Sequence, residues 1–183
     1  MIVSLEDLDL IRYNWSNDRG YLMRRVQVRG KSIKIYLHRV VLERKLGIVL
    51  TSKNKVDHKN RYKADCRRSN LRLATKSQNG GNASIRRNKS VPYKGVWYYK
   101  PSGKFAARIV KDRRPIFMGY YKTAEEAARV YDKKAIELFG EFAATNVVLG
   151  LLPAGKPTED SHSGGGAGPS ASTGSATGLP EQL

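Results

Sequence analysis

A short polar stretch of the 183-residue sequence contains the side chains best suited to hydrolytic chemistry. Asp57 and His58 are adjacent, and Asn70 and Asn79 follow them. Carboxylate and amide oxygens are hard ligands that suit Mg²⁺, which keeps most of its waters and takes few protein ligands. A neutral imidazole beside such an ion can accept a proton from an attacking water, and an asparagine carbonyl can hold the other ring nitrogen in the required tautomer. Taken singly, such residues in a polar loop are usually solvated side chains or turn caps.

The local pattern predicts the elements that would position these residues. Alternating apolar residues over 21–36 predict a β-hairpin, and helical spacing over 37–46 predicts a helix that ends at Gly47. Asp57 and His58 would lie in a short strand, with the two asparagines at the start of a second strand and on a short helix. Neighbours in a strand point to opposite faces, so one pocket can receive both Asp57 and His58 only if the strand ends there.

A second compact unit begins near residue 93. It contains three strand-like runs separated by turn-forming residues, at 95–99, 104–110 and 116–121. Thr123-Ala124-Glu125-Glu126 is a capping box, and the apolar stripe behind it predicts a helix that ends at Gly140. Three antiparallel strands packed on one amphipathic helix form a complete small domain, and the whole chain is therefore predicted to be α+β.

The charge of the chain points to a polyanionic partner. The formal net charge is +18, and residues 151–183 contribute one basic and three acidic side chains, so the excess lies in the first 150 residues. A membrane surface would be the alternative partner, but the sequence contains no basic amphipathic helix for it and no apolar run long enough to span a bilayer. The single cysteine, Cys66, excludes an internal disulfide and a Cys-rich zinc site, and indicates an inert thiol in a reducing cytoplasm.

The spacing of the polar stretch resembles that of HNH endonucleases of the phage homing type. The resemblance is carried by Val56-Asp57-His58, Arg67 to Thr75 and Ser77-Gln78-Asn79, and it implies a ββα-metal fold that holds one divalent ion, Mg²⁺ with Mn²⁺ as the alternative. Carried over to this sequence, Asp57 and Asn79 would ligate the metal, His58 would be the general base, and Asn70 would orient His58. Asn82 is the weaker candidate for the position of Asn79. His38, in a segment that resembles the stretch before the motif, is interpreted as a packing residue.

Residues 93–146 resemble the DNA-binding domain of plant ethylene-response factors. The similarity runs from Tyr93-Lys94-Gly95-Val96 to Ala144-Thr145-Asn146, and it implies a sheet that enters the major groove of double-stranded DNA. Trp97, Ser102 and Arg108 depart from the usual residues of that family, so the fold carries over but the base preference does not. The residues predicted to contact DNA across the whole chain are basic or aromatic, with one glycine: Arg72, Lys94, Gly95, Trp97, Tyr99, Lys104, Arg108, Lys111, Arg113 and Arg114.

Strand alternation separates the residues of the first run in this unit into two faces. Val96 and Tyr98 lie on one face, and Trp97 and Tyr99 lie on the other. We predict that Val96 and Tyr98 pack in the core. Trp97 and Tyr99 would then face the groove, where cations and flat aromatic rings suit phosphate neutralisation and contact with bases.

The sequence therefore predicts a phage-encoded, metal-dependent DNA endonuclease of the host cytoplasm with a second, addressing domain. The predicted parts are a nuclease domain over 1–82, a basic linker over 83–92, a DNA-binding domain over 93–149 and a disordered Gly/Ser/Ala-rich tail over 150–183. A monomer is favoured, and its single site would nick one strand. Deletion of residues 93–183 is predicted to leave a nicking enzyme with weaker site preference. The alternatives are a DNA-binding regulator with an inactive nuclease relic and an RNA-binding protein.

Overall fold

The first part of the N-terminal module contains a three-stranded antiparallel sheet and a helix that packs beside it. The computed structural model describes residues 1–85 and 89–154, and we call residues 1–85 the N-terminal module and residues 89–154 the C-terminal module. A 3-10 helix, Leu5–Arg12, precedes strands β1 (Ser16–Asp18), β2 (Tyr21–Val28) and β3 (Lys31–Tyr36) and helix α1 (Leu37–Leu46). The predicted hairpin and helix are confirmed. Arg29 and Gly30 both have positive φ, which suits the tight turn between two twisted strands.

The N-terminal module ends in a ββα unit. Strand β4 (Lys55–His58) pairs antiparallel with β5 (Leu71–Ala74), and helix α2 (Lys76–Gly81) follows. Thr75 starts α2 with a capping box, because its hydroxyl accepts from the Gln78 backbone N–H and the Gln78 side chain accepts from the Thr75 backbone N–H. Leu37, Val41 and Leu42 of α1 pack against Leu71 of β5, so the ββα unit rests on a buried apolar core.

The C-terminal module is a three-stranded sheet packed on one long helix. Its elements are β6 (Val96–Tyr99), β7 (Lys104–Lys111), β8 (Arg114–Tyr121) and α3 (Ala124–Phe139), and the sheet order is β6-β7-β8. Thr123 caps α3 through the capping box that the sequence predicts, and Gly140 ends the helix. Val96, Ala107 and Ile109 are buried on the face towards α3. The α+β class is therefore confirmed.

Two buried residues extend the C-terminal module beyond the limits predicted from composition. Val91, in the predicted linker, and Leu152, in the predicted tail, are both buried in the core beside Val96. Leu152 is held there because its backbone N–H and that of Leu151 donate to the carbonyl of Asn146. Residues 86–88 of the predicted linker and 155–183 of the predicted tail lie outside the described residues.

The two modules pack directly on each other. Residues Met1–Pro153 form one compact unit, in which α2 of the N-terminal module meets α3 and the segment after it. Phe139 of α3 lies against Gly81, where an added Cβ atom would come within 2.8 Å of its ring. No helix among the described residues is long and apolar enough to cross a membrane.

Candidate active site

Asp57 and His58 close strand β4 and line one cleft of about 410 Å³. Both are buried, with exposed fractions of 3% and 5%, and Asn79 and Asn82 line the same cleft from α2. The strand ends at His58, which is the condition under which neighbouring strand residues can share a pocket. The structure therefore brings together the predicted base and both predicted metal ligands.

The carboxylate of Asp57 is held by two side chains from different elements. The Asn82 amide Nδ2 lies 2.9 Å from Oδ1 and 3.1 Å from Oδ2 of Asp57, and 2.8 Å from the His58 carbonyl. Arg72, opposite Asp57 in the β4–β5 pair, donates from Nε to Oδ2 of Asp57 at 2.9 Å. Asn82 is therefore the asparagine that contacts Asp57. The Asn79 side chain lines the cleft and makes no hydrogen bond to another described residue.

Asn70 does not contact the imidazole of His58. Its Nδ2 donates to the Asp65 carbonyl at 2.7 Å and to Oδ1 of Asn60 at 3.0 Å, and its Oδ1 accepts from the Asn60 backbone N–H at 3.0 Å. The prediction that Asn70 orients the ring directly is therefore wrong. Asn70 instead folds the loop that follows β4.

The environment of His58 favours a neutral imidazole. Burial lowers the pKa of His58, although the nearby carboxylates of Asp57 and Asp65 oppose that effect. Its Nε2 atom is buried and has no hydrogen-bond partner among the described residues. A neutral imidazole with a free ring nitrogen is able to accept a proton.

His38 and Tyr21 form an aromatic cluster with His58 that sequence reasoning missed. The ring centroid of His38 lies 5.3 Å from that of His58, and the Tyr21 ring lies 5.0 Å from His38 and 6.0 Å from His58. Burial lowers the pKa of His38 to about 3, so its ring adds no positive charge beside His58 at neutral pH. No local pattern identifies these contacts, because Tyr21 begins β2 and His38 lies in the first turn of α1.

The side chains in the cleft fit a hard divalent cation that keeps most of its water. Among the described residues no group of three or more His, Cys, Asp or Glu side chains could hold a metal. The carboxylate and amide side chains that line the cleft are those of Asp57, Asn79 and Asn82. This set suits Mg²⁺ or Mn²⁺ with few protein ligands, and it does not suit a structural zinc ion.

The outer face of the C-terminal sheet is rich in exposed aromatic rings. Trp97 lies 6.4 Å from Phe117, and Tyr120 lies 5.0 Å from both Phe117 and Tyr99, measured between ring centroids. The guanidinium of Arg108 lies 5.5 Å from the centre of the Trp97 ring. Phe117 and Tyr120 are about half exposed, and neither was predicted from the sequence to contact DNA.

The inner face of β6 agrees with the predicted core only in part. Val96 is buried, as predicted, with an exposed fraction of 1%. Tyr98 is 46% exposed at the end of the strand, where its ring packs on Phe105, so the prediction that it is a core residue is wrong. Of the predicted DNA contacts, Lys104, Arg113 and Arg114 are exposed and Lys111 is half-buried.

Both modules are similar in sequence to known proteins. Residues 35–80 match the family model described as HNH endonuclease. "Uncharacterized HNH endonuclease L560" of Acanthamoeba polyphaga mimivirus is 37% identical over 115 residues, which is 63% of this chain and 59% of the mimivirus protein. The N-terminal module therefore contains an HNH endonuclease match that includes β4, β5 and most of α2.

The C-terminal part of the chain is similar to plant AP2-type transcription factors. "AP2-like ethylene-responsive transcription factor TOE2" of Arabidopsis thaliana is 36% identical over 64 residues, which is 35% of this chain and 13% of the plant protein. "Ethylene-responsive transcription factor ERF069" of the same plant is 34% identical over 111 residues, which is 58% of this chain and 63% of that protein. The chain thus spans less than two thirds of the length of each of these relatives.

Three predicted DNA contacts face the interior next to the HNH domain. The Lys94 ammonium donates to the carbonyls of Gly81 and Ala144, at 2.6 and 3.1 Å, and its burial lowers the pKa to about 8. Gly95 has φ +77°, and an added Cβ atom would come within 2.0 Å of the Tyr131 ring. Hydrogen bonding therefore occupies the Lys94 ammonium, and packing of the Tyr131 ring requires that residue 95 has no side chain. Contact of Lys94 and Gly95 with DNA stays a prediction.

Arg72 is the third of these residues. Its side chain is 11% exposed and carries ion pairs to Asp57 and to Glu141. Its guanidinium also lies 3.6 Å from the centre of the Phe142 ring. The guanidinium is therefore engaged inside the protein, and contact of Arg72 with DNA stays a prediction.

Proposed function

We propose that this protein is a metal-dependent DNA endonuclease that hydrolyses phosphodiester bonds and nicks one strand per encounter. The observation that carries the proposal is the cleft in which Asp57 and His58 lie side by side, with the Nε2 atom of His58 buried and unpaired. The match of residues 35–80 to the HNH endonuclease family supports the same reaction class.

His58 is the proposed general base. Its lowered pKa keeps the imidazole neutral near pH 7, so it can take the proton of a water that attacks the phosphorus atom. Asp57 and Asn79 are the proposed ligands of a Mg²⁺ or Mn²⁺ ion, with Asn82 holding the Asp57 carboxylate. When bound, such an ion supplies positive charge that offsets the charge developing on the phosphate and the leaving oxygen.

The C-terminal sheet is the proposed recognition surface for double-stranded DNA. On its outer face, Trp97, Tyr99 and Arg108 lie beside the exposed rings of Phe117 and Tyr120. This combination of side chains suits contact with base edges and sugars. The exposed basic side chains near its turns, Lys104, Arg113 and Arg114, suit contact with phosphates. A homing role, a phage origin and action as a monomer in the host cytoplasm belong to the same proposal.

The test is the conversion of supercoiled plasmid to open circles by the full chain in the presence of Mg²⁺. We expect cleavage by the wild type, no cleavage in EDTA, and no cleavage by His58→Ala at unchanged affinity for duplex DNA. The reason is that a general base acts only in the chemical step, whereas affinity depends on the rest of the surface. Full activity in EDTA would contradict the metal requirement, and full activity of His58→Ala would contradict the role of the histidine.

A DNA-binding regulator with an inactive nuclease domain is the second candidate. The observation that favours it is that both oxygens of Asp57 already accept hydrogen bonds from Asn82 or Arg72. That candidate predicts tight duplex binding without open circles at any concentration of Mg²⁺ or Mn²⁺. The same plasmid assay therefore separates the two functions.

A further inference from the structure

We propose that the C-terminal module holds the active site in its working geometry, with Arg72 as the positioning residue that transmits its docking to Asp57. The inference rests on the proposed nuclease function and deepens it. A module that only recognised the DNA site would need no contact with the proposed metal ligands. Two separate chains of contacts run from the C-terminal module to Asp57.

The first chain of contacts passes through Arg72. From β5, Arg72 donates to Oδ2 of Asp57 at 2.9 Å, and its Nη1 atom donates to the Glu141 carbonyl at 3.1 Å and lies 3.1 Å from the Glu141 carboxylate. The Phe142 ring covers the guanidinium at 3.6 Å. A guanidinium offers donors in a rigid planar fork, so groups of both modules fix the plane from which Nε approaches Asp57.

The second chain of contacts passes through the end of α2. The Gly81 carbonyl accepts from the Ala144 backbone N–H at 3.1 Å and from the Lys94 ammonium at 2.6 Å. Phe139 packs where Gly81 has no side chain. The next residue is Asn82, whose amide grips both oxygens of Asp57. The C-terminal module therefore holds the backbone from which Asn82 reaches the carboxylate.

The burial of these groups makes their orientation matter. The side chains of Asp57 and Arg72 are 4% and 11% exposed, so water cannot readily replace a lost partner. Partners that orient a metal ligand commonly contribute about 10- to 100-fold to metal affinity or activity. We therefore expect that undocking this contact slows cleavage even on DNA that is fully bound, and that deletion of residues 93–183 removes more than site preference.

The experiment compares Arg72→Lys and Phe142→Leu with the wild type in the full chain. Arg72→Lys keeps the positive charge beside Asp57 but cannot hold Asp57 and the Glu141 carbonyl in one plane, so it separates orientation from charge. Phe142→Leu changes only the C-terminal side of the contact and keeps an apolar side chain. The readouts are the nicking rate at saturating DNA, the Kd for duplex DNA, and the affinity of the DNA-free protein for Mn²⁺ from the free-ion EPR signal.

We expect each variant to lose about 10-fold or more in saturated nicking rate or in Mn²⁺ affinity, with the duplex Kd unchanged within about twofold. The double variant should be no worse than Arg72→Lys alone, because both changes act through one guanidinium. Glu137→Gln is the control for a change elsewhere on the C-terminal module, since Glu137 forms an exposed pair with Lys134 at 2.7 Å on α3. It should behave as the wild type.

Unchanged nicking and unchanged Mn²⁺ affinity in both variants would overturn the proposal. Equal losses in the Glu137→Gln control would overturn it too, because they would show that the losses are not specific to the contact with Arg72. Chemical denaturation of each variant identifies any that fails to fold, and Phe142→Leu then serves in place of Arg72→Lys. A wild type that binds Mn²⁺ but cuts no DNA would refute the nuclease function, and the Mn²⁺ titration would still decide the role of Arg72.

Discussion

Replacement of Asn82 by alanine should destabilise the protein far more than the same change at Asn79. The two asparagines lie three residues apart along α2 and its C-cap and line one cleft, so each is a matched control for the other. Asn82 is buried and its Nδ2 contacts Asp57 and the His58 carbonyl, whereas the Asn79 side chain makes no hydrogen bond to another described residue.

The magnitude follows from the number of protons on the Asn82 amide. Nδ2 carries two, so the three short contacts to Asp57 and His58 amount to at most two hydrogen bonds at once. One bond to a carboxylate contributes about 1.5–3 kcal/mol and one to a neutral carbonyl about 0.5–1.5 kcal/mol. Asn82→Ala should therefore lower the free energy of unfolding by about 2–4.5 kcal/mol, and Asn79→Ala by less than about 0.5 kcal/mol.

Urea unfolding in EDTA is the appropriate assay, because it measures the contacts of the protein without a bound ion. Nicking by the two variants is then compared at equal folded fraction. Asn79→Ala should be folded and yet deficient in cleavage, which would support its role as a metal ligand. Equal destabilisation by the two changes, or a loss below about 0.5 kcal/mol for Asn82→Ala, would refute the reasoning that Asn82 holds the carboxylate.

Three further outcomes test other parts of the structure. Gly95→Ala should cost roughly 3 kcal/mol or more in urea unfolding, because the new Cβ atom meets the Tyr131 ring in addition to an unfavourable φ. Gly103→Ala, with φ +63° and the Tyr98 hydroxyl at an ordinary contact distance of 3.7 Å from the new Cβ atom, should cost about 1–2 kcal/mol; equal costs would exclude the steric contact. The pKa of His58 is lowered from the ordinary histidine value of 6.5, so the neutral imidazole persists below pH 6.5. The single-turnover nicking rate should therefore fall at acid pH with a midpoint below pH 6.5, and a midpoint above that pH would exclude His58 as the general base. Trp97→Ala should flatten the ranking of DNA sites in competition binding while it leaves the salt dependence of Kd unchanged, because no charge is lost; an unaltered ranking would place specificity elsewhere.

The order and type of the elements could be predicted because their signals are local. Thr123 and Glu126 satisfy each other's backbone groups three residues apart, and Arg29-Gly30 forms the turn between two strands that alternate in polarity. Such patterns are complete within a few neighbouring residues, so they indicate the same structure before and after the chain folds. The pairing of Asp57 with His58 in one cleft was also predictable, since only the end of the strand was needed.

The partners of the site residues could not be predicted, because they come from distant parts of the chain. Arg72 is basic and adjacent in sequence to a nuclease motif, which suggested a DNA contact, but its partners Glu141 and Phe142 belong to the other module. Lys94 was predicted to contact DNA, yet its ammonium donates hydrogen bonds to two backbone carbonyls of the protein. Composition shows that a basic side chain is present but does not identify the carbonyl or carboxylate that it will contact.

The sequence by itself determined that this protein has a ββα unit, a three-stranded sheet on a helix, and an Asp-His pair at the end of a strand. The tertiary structure alone decided that Asn82 grips the carboxylate of Asp57 and that Arg72 connects it to the C-terminal module. The physical reason is the range of the interactions involved. Capping and strand alternation act between near neighbours. The geometry of a buried carboxylate depends instead on side chains that lie 15 and 25 residues away in the sequence and that only the folded chain brings within 3 Å.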